Sequence, residues 1–408
     1  MKKARLREYA SLIVTKGVNV KKGDEVVVQA ELDQPEFVEM VVEAAYKRGA
    51  KRVRVEWFHQ PLTRYSVRYQ SKKTLSTVEE WELAKFRHRR DTLPSMIYLM
   101  SEDPDGLRGI NQKKYGEAMQ KRSLVIKPIR DEMENKYCWC IAAVPGKKWA
   151  KKVFPDMRVS LAMEKLWESI LEASRVDGDA VKAWDEHNAD VHRRCDYLNS
   201  LGLRTLRYRA KNGTDFSVGL IPEALFMGGS EPLPTTGVEF NPNIPTEEVF
   251  VSPKRGEAEG IVYSSKPLAY RGNLITNFSI RFENGKAVEA HAEEGEALLN
   301  QLISMDEGAA YLGECALVPY HSPISEQGIL YYNTLFDENA ACHLALGRGF
   351  SNCIRDYEKY TLEECQKMGI NDSIVHEDFM IGTSDLEIDG ITEDGKTIPI
   401  FRNGDWAF

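Results

Sequence analysis

The stretch VHEDFMIG, residues 375–382, sets three ionisable groups directly against three apolar ones. Charged side chains are seldom buried alone, because their lost hydration must be replaced by a partner or a metal. In an extended strand successive side chains alternate faces, so His376 and Asp378 point one way and Glu377 the other. An imidazole and a carboxylate on one face suit a metal site or a catalytic pair. They would equally make a plain hydrogen-bonded pair at a strand edge. Three further segments carry related signals. PNIPTEEVF (242–250) places Glu247 and Glu248 behind a proline-bounded turn, and GECALVPY (313–320) places Glu314 ahead of an apolar strand. FDENAACHLALG (336–347) places Asp337, Glu338 and His343 around a helix-like apolar run. Each has a plainer alternative: surface charge at an element start for the glutamates, a hydrogen-bonded core histidine for His343.

Familiar catalytic patterns are missing. Met380 stands four residues after His376, so HExxH is absent, and GxSxG, GxGxxG and Walker A patterns are absent as well. The seven cysteines include no metal-type CxxC pair and read as free thiols of a reducing compartment, which is expected to be the cytoplasm. A net charge of −8 argues against a broad nucleic-acid footprint. The basic cluster RHRR (87–90) reads as a solvated helix face. No apolar run is long enough to cross a bilayer, and MKKARLREYASLIV reads as an amphipathic helix rather than a signal peptide. At 42% hydrophobic and 28% charged residues, the 408-residue chain is globular and long enough for two domains.

The elements that must position the acidic and imidazole groups follow from periodicity. DEVVVQA (24–30) and KRVRVEWF (51–58) read as strands around a helix, FVEMVVEAAYKR (37–48), with Asp33 as its cap and Pro35 in its first turn. This strand–helix–strand unit predicts a mainly parallel sheet, to which SMIYLM (95–100) and YCWCIAAV (137–144) add strands. Helices are expected over 159–174 and 179–201. After Gly202 the pattern changes to hairpins, with turns at Lys211-Asn212-Gly213, at Glu283-Asn284-Gly285 and in the closing ITEDGKTIPIFRNGDWAF. The expectation is therefore an N-terminal α/β domain over 1–200 and an α+β domain over 201–408 with an antiparallel sheet carrying the site. There is no internal repeat.

Taken together, PNIPTEEVF, LFDENAACHLALGRG, VHEDFMIG, LEIDGI and PIFRNGDWAF resemble the thermophilic-type metallo-aminopeptidases of peptidase family M29. The likeness extends to the N-terminal KGDEVVVQAELDQPEFV. The resemblance implies a homodimer that releases N-terminal residues from peptides with a free N-terminus, through a metal-activated water at a site of two divalent ions. The implied metal ligands are Glu248, Glu314, Glu338, His343, His376 and Asp378, with Glu248 taken over Glu247 from the alignment of the PTEEVF block. Four carboxylates bring four negative charges, which two divalent ions balance. Carboxylates with two imidazoles suit Zn, Co or Mn alike. On this reading Phe379, Met380 and Ile381 wall the site from water.

One position departs from the family pattern. A tyrosine thought to assist catalysis usually follows the HLALG block, and here Phe350 stands in its place, with no hydroxyl to donate. Tyr331, Tyr332 and Tyr357 lie near it in sequence. Two other readings compete. A mononuclear iron(II) site, as in ring-cleaving dioxygenases of hydroxylated pyridines, would need fewer than six ligands. A non-catalytic metal- or peptide-binding protein is the other.

Overall fold

The computed structural model describes residues 3–408. It resolves into two compact units, one of Met1–Asn188, Ser230–Thr246 and Arg271–Asn273, the other of Ala189–Gly229, Glu247–Tyr270 and Leu274–Phe408.

The first unit is built on a five-stranded parallel sheet in the order Arg52–Phe58, Glu25–Glu31, Ser95–Met100, Trp139–Ala143, Asn243–Ile244. Val26, Val27 and Val28 are all buried, as expected for a strand covered on both faces. Helix Pro35–Lys47 turns Phe37, Val38, Val41 and Ala45 inward. Phe37 packs against Tyr9 and Trp167 at ring-centre distances of 5.5 and 5.3 Å. Each such buried side chain contributes about 1.5–3 kcal/mol. Asp33 does not cap this helix: Gln34 occupies the cap position, and the Asp33 carboxylate instead accepts a hydrogen bond from Ser101 Oγ at 2.7 Å. The RHRR segment lies in helix Glu80–Thr92, but Arg89 is buried against Glu56 at 2.6 Å rather than solvated.

The second unit holds two antiparallel sheets. The larger has nine strands, and its hairpins fall where the Asn-Gly turns predict. Glu283 pairs with Lys286 across Asn284 and Gly285, both at positive φ (50° and 80°), which is the two-residue turn that an Asn-Gly pair favours. The smaller sheet has four strands in the order Val249–Val251, Leu312–Leu317, His343–Gly347, His376–Met380. Successive positions along each of its strands serve different ends. Val249, Val251, Cys315, Leu317, Leu344, Leu346, Phe379 and Ile381 join one buried cluster with Leu206, Tyr208, Phe216 and Phe282 of the larger sheet.

Three local expectations change here. HLALG is a strand, not part of a helix, and Asp337 and Glu338 lie in short helical turns before it. All five residues of that strand are buried, and a continuous apolar run carries no periodicity to separate strand from helix. Glu314 sits inside its strand, not ahead of it. Phe379 and Ile381 face the core rather than walling the site, because they alternate with His376, Asp378 and Met380.

Candidate metal centre

The face of the four-stranded sheet opposite the core carries Glu314, His343, Ala345, His376 and Asp378. Cross-strand register aligns them: Glu314 is opposite Ala345, which is opposite Asp378 on the next strand. The small Ala345 side chain leaves room between the two carboxylates. His343 is two residues from Ala345 on the same strand and so shares its face.

Glu314 reaches this face because of an irregularity. Leu312 pairs with Leu346, yet Glu314 pairs with Ala345, so Gly313 is an extra residue in its strand. Without this bulge Glu314 would stand opposite Leu344 and face the core. A Cβ at Gly313 would lie 2.1 Å from the Arg348 carbonyl oxygen, so a glycine is required there. That same carbonyl accepts a hydrogen bond from His376 Nδ1 at 2.7 Å. The bulge thus places one acidic group and abuts the backbone that orients an imidazole.

Both imidazoles are held alike. His343 Nδ1 donates to the Glu338 carbonyl at 2.9 Å, with the Ala341 carbonyl at 3.2 Å. Carbonyl oxygens only accept, so Nδ1 carries the proton and Nε2 is aimed at the carboxylates. His343 Nε2 lies 3.3 Å from Glu248 Oε2 and 4.0 Å from both Glu314 Oε1 and Asp378 Oδ1. His376 Nε2 lies 3.1 Å from Glu314 Oε2 and 3.4 Å from Asp378 Oδ1. Glu248, Glu314 and His343 form one group of converging donor atoms, and Glu314, His376 and Asp378 form another. Glu314 belongs to both, one oxygen turned to each imidazole.

Glu248 comes from the segment just before Val249–Val251, where Gly228 lets a neighbouring loop approach: a Cβ there would lie 2.3 Å from the Glu248 carbonyl oxygen. Glu247 is buried beside it, and its backbone N–H donates to Asn339 Oδ1 at 2.7 Å. Glu338 is buried in a single helical turn and joins neither triad. Asp337 is also buried, and its carboxylate accepts the backbone N–H groups of Tyr331 and Asn333, both at 3.0 Å, fixing the loop that delivers Glu338.

The electrostatics are those of crowded acids around two imidazoles. Burial, then the charges of Asp378 and Glu248, push the Glu338 carboxyl well above its ordinary range. Burial also raises Glu314, partly opposed by His376 and reinforced by Asp378 and Glu248. Burial alone would depress His343, but Glu248, Asp378 and Glu314 raise it to about 10. His376 is likewise raised well above its usual value, against the effect of burial, by Asp378 and Glu314. Asp378 Oδ1 is buried between the imidazoles. Three carboxylates and two imidazole nitrogens converge in a largely desolvated space, with Glu338 near enough to feel their charges. That donor set fits divalent cations, which would relieve the repulsion among the acids.

Phe350 packs its ring 4.8 Å from the His376 ring and 5.7 Å from Phe250. Tyr331 stacks on Phe336 and gives its hydroxyl to Gln327, while Tyr357 packs beside Ile221 and Ile354. The residues that local sequence does not flag are Gly313, Ala345 and Asn339. Of these only Gly313, a glycine directly before an acidic residue in an apolar run, carries a readable signal.

Comparison with known proteins agrees with this geometry. The family model for thermophilic metalloproteases (M29) matches residues 2–406. Aminopeptidase AmpS of Bacillus subtilis is 42% identical over 99% of this chain and 98% of its own length. Aminopeptidase T of Thermus thermophilus is 36% identical over 99% of each chain. The structure of wild-type AmpT from that organism superimposes over 100% of both chains with a TM-score of 0.89. A 2,5-dihydroxypyridine dioxygenase from Pseudomonas putida shares the fold at 14% identity and a TM-score of 0.53, covering 100% of this chain and 98% of its own. The chain belongs to the M29 family of thermophilic metalloproteases.

Proposed function

We propose that this chain is a metal-dependent aminopeptidase that releases N-terminal residues from peptides at a two-metal site formed by Glu248, Glu314, Glu338, His343, His376 and Asp378. The observation that carries the reading is Glu314, whose two oxygens turn to different imidazoles and so belong to two donor triads at once. Divalent ions bound there would polarise a scissile carbonyl and lower the pKa of water toward about 7. The identity of the ions as Zn, Co or Mn follows availability as much as donor type.

The chain's own groups have distinct tasks. The Glu338 and Arg348 carbonyls hold His343 and His376 with Nε2 pointing inward, which fixes the tautomer a metal requires. Ala345 keeps the space between Glu314 and Asp378 open. A carboxylate of the set is the natural partner for a substrate's free α-amino group, which would limit cleavage to the first residue. Phe350 lies against His376 and contributes shape but no proton donor. The homodimer and the cytoplasmic location are part of the same proposal, and native mass tests the first.

Two triads sharing one carboxylate favour two ions over the single iron of a ring-cleaving dioxygenase. The test is elemental analysis of the purified protein with release of leucyl, arginyl and phenylalanyl groups from chromogenic substrates, with and without chelator. About two divalent ions per chain and chelator-sensitive release support the proposal. A single iron, or release indifferent to chelator, overturns it.

A further inference from the structure

Four of the six acidic and imidazole groups sit within strands, where the hydrogen-bond ladder sets their spacing. Glu248 and Glu338 do not. Glu248 precedes its strand, and Glu338 lies in one helical turn. Something else must hold these two carboxylates in place against their mutual repulsion.

We infer that Asn339 is the positioning residue that holds both. Its side chain is fully buried. Its Oδ1 accepts the Glu247 backbone N–H at 2.7 Å, which anchors the residue next to Glu248. Its Nδ2 donates to the Leu335 carbonyl at 2.9 Å and faces Glu338 Oε1 at 3.4 Å. Its own backbone carbonyl accepts from Ser322 Oγ at 3.0 Å, and Ser322 is also fully buried. A single amide therefore ties together the segments carrying Glu248 and Glu338, and it offers each the complementary end of its dipole. Through Glu338 it reaches a third group, because the Glu338 carbonyl orients His343. Only an amide does this: a carboxylate of equal size accepts from Glu247 but cannot donate to Leu335 or Glu338.

The inference rests on the two-metal reading, and the experiment separates the two. The full-length protein is stripped with chelator and titrated with Zn²⁺ by calorimetry, for the natural chain, Asn339→Asp and Ser322→Ala. Absence of Zn²⁺ binding by the natural chain defeats the proposed function itself. Given two bound ions, Asn339→Asp is expected to weaken one of them by about 10–100-fold, the usual cost of losing a group that orients a ligand. This loss would occur although the substitution adds a negative charge, which by attraction alone would tighten cation binding. Ser322→Ala, which leaves every acidic group and the Asn339 side chain intact, is expected to weaken the same ion several-fold. It decides the matter if Asn339→Asp does not fold. Unchanged or tighter binding in the folded variants, with only the melting temperature lowered, would overturn the inference.

Discussion

The two antiparallel sheets of the second unit are built by the same pairing rules and solve different problems. The nine-stranded sheet shifts register between Pro253 and Ala258, Arg281 and Phe282, Ile388 and Asp389, and Ile391 and Thr392, yet its alternating strands and Asn-Gly turns keep one face buried on the shared core. The four-stranded sheet buries all of Leu312–Leu317 and His343–Gly347 yet must hold acids and imidazoles on one face. It does so by breaking its own register at Gly313 and by borrowing groups from outside its ladder. The lesson is that register shifts occur in both sheets, and what differs is their consequence: in the larger sheet the core face stays apolar, whereas the shift at Gly313 turns an acid toward the imidazoles.

The comparison can be broken most directly at the shared carboxylate. Glu314→Gln keeps shape and removes the charge common to both triads. Activity is expected to fall by about 10³-fold or more, because several kcal/mol of electrostatic stabilisation is lost. The chelated variant should melt no lower than the chelated natural protein, since burial and its acidic neighbours already disfavour the Glu314 charge. Retained activity with two bound ions would show the sheet face to be structural only. Phe350→Tyr sharpens the contrast from the other direction by adding a donor beside His376. It is expected to raise kcat by about 10²-fold with KM little changed, the scale of one well-placed donor. An unchanged kcat would mean this site works without a hydroxyl there.

Gly313→Ala tests the bulge. The added methyl meets the Arg348 carbonyl and so disturbs both the Glu314 register and the His376 orientation. Metal affinity should drop about 10–100-fold, measured by Zn²⁺ competition with a chromogenic chelator, and an unaltered affinity would remove Gly313 from the argument. The smallest effect belongs to the exposed His321–Asp405 pair, which bridges the loop after the Glu314 strand and the last strand of the larger sheet. The hydrogen bond and charge of Asp405 raise the His321 imidazole above its ordinary value. A raised folded value means that its stabilisation is complete below the unfolded value and is lost as pH climbs through the folded one. His321→Gln should therefore lower the melting temperature slightly near pH 6 and not at all near pH 9, and an equal change at both would refute the pairing.

Much of the molecule was legible before folding. The valine-rich strands, the amphipathic helix Pro35–Lys47 and the Asn-Gly hairpins follow from local periodicity, because side-chain direction there depends only on spacing. Motif resemblance named six acidic and imidazole positions, of which five lie in the two donor triads, and strand alternation alone gave the shared face of His376 and Asp378. Other features were not. HLALG reads equally as helix or strand because the apolar run after His343 is buried throughout and shows no alternation. Asp33 has the composition of a cap but finds Ser101 instead, a partner 68 residues away. Residues 230–246 return to the first unit, where Asn243–Ile244 closes the parallel sheet, a long-range pairing with no local mark.

Sequence by itself thus determined the periodic helices, strands and hairpins and which residue types are available for chemistry, since both depend on spacing over a few residues. Tertiary structure alone decided that the bulge at Gly313 turns Glu314 toward the imidazoles, that two backbone carbonyls select their tautomers, and that Asn339 binds two acidic segments together. Except for the Glu338 carbonyl on His343, those arrangements arise between segments farther apart in the chain, and only the closing of the sheets brings them within hydrogen-bonding distance.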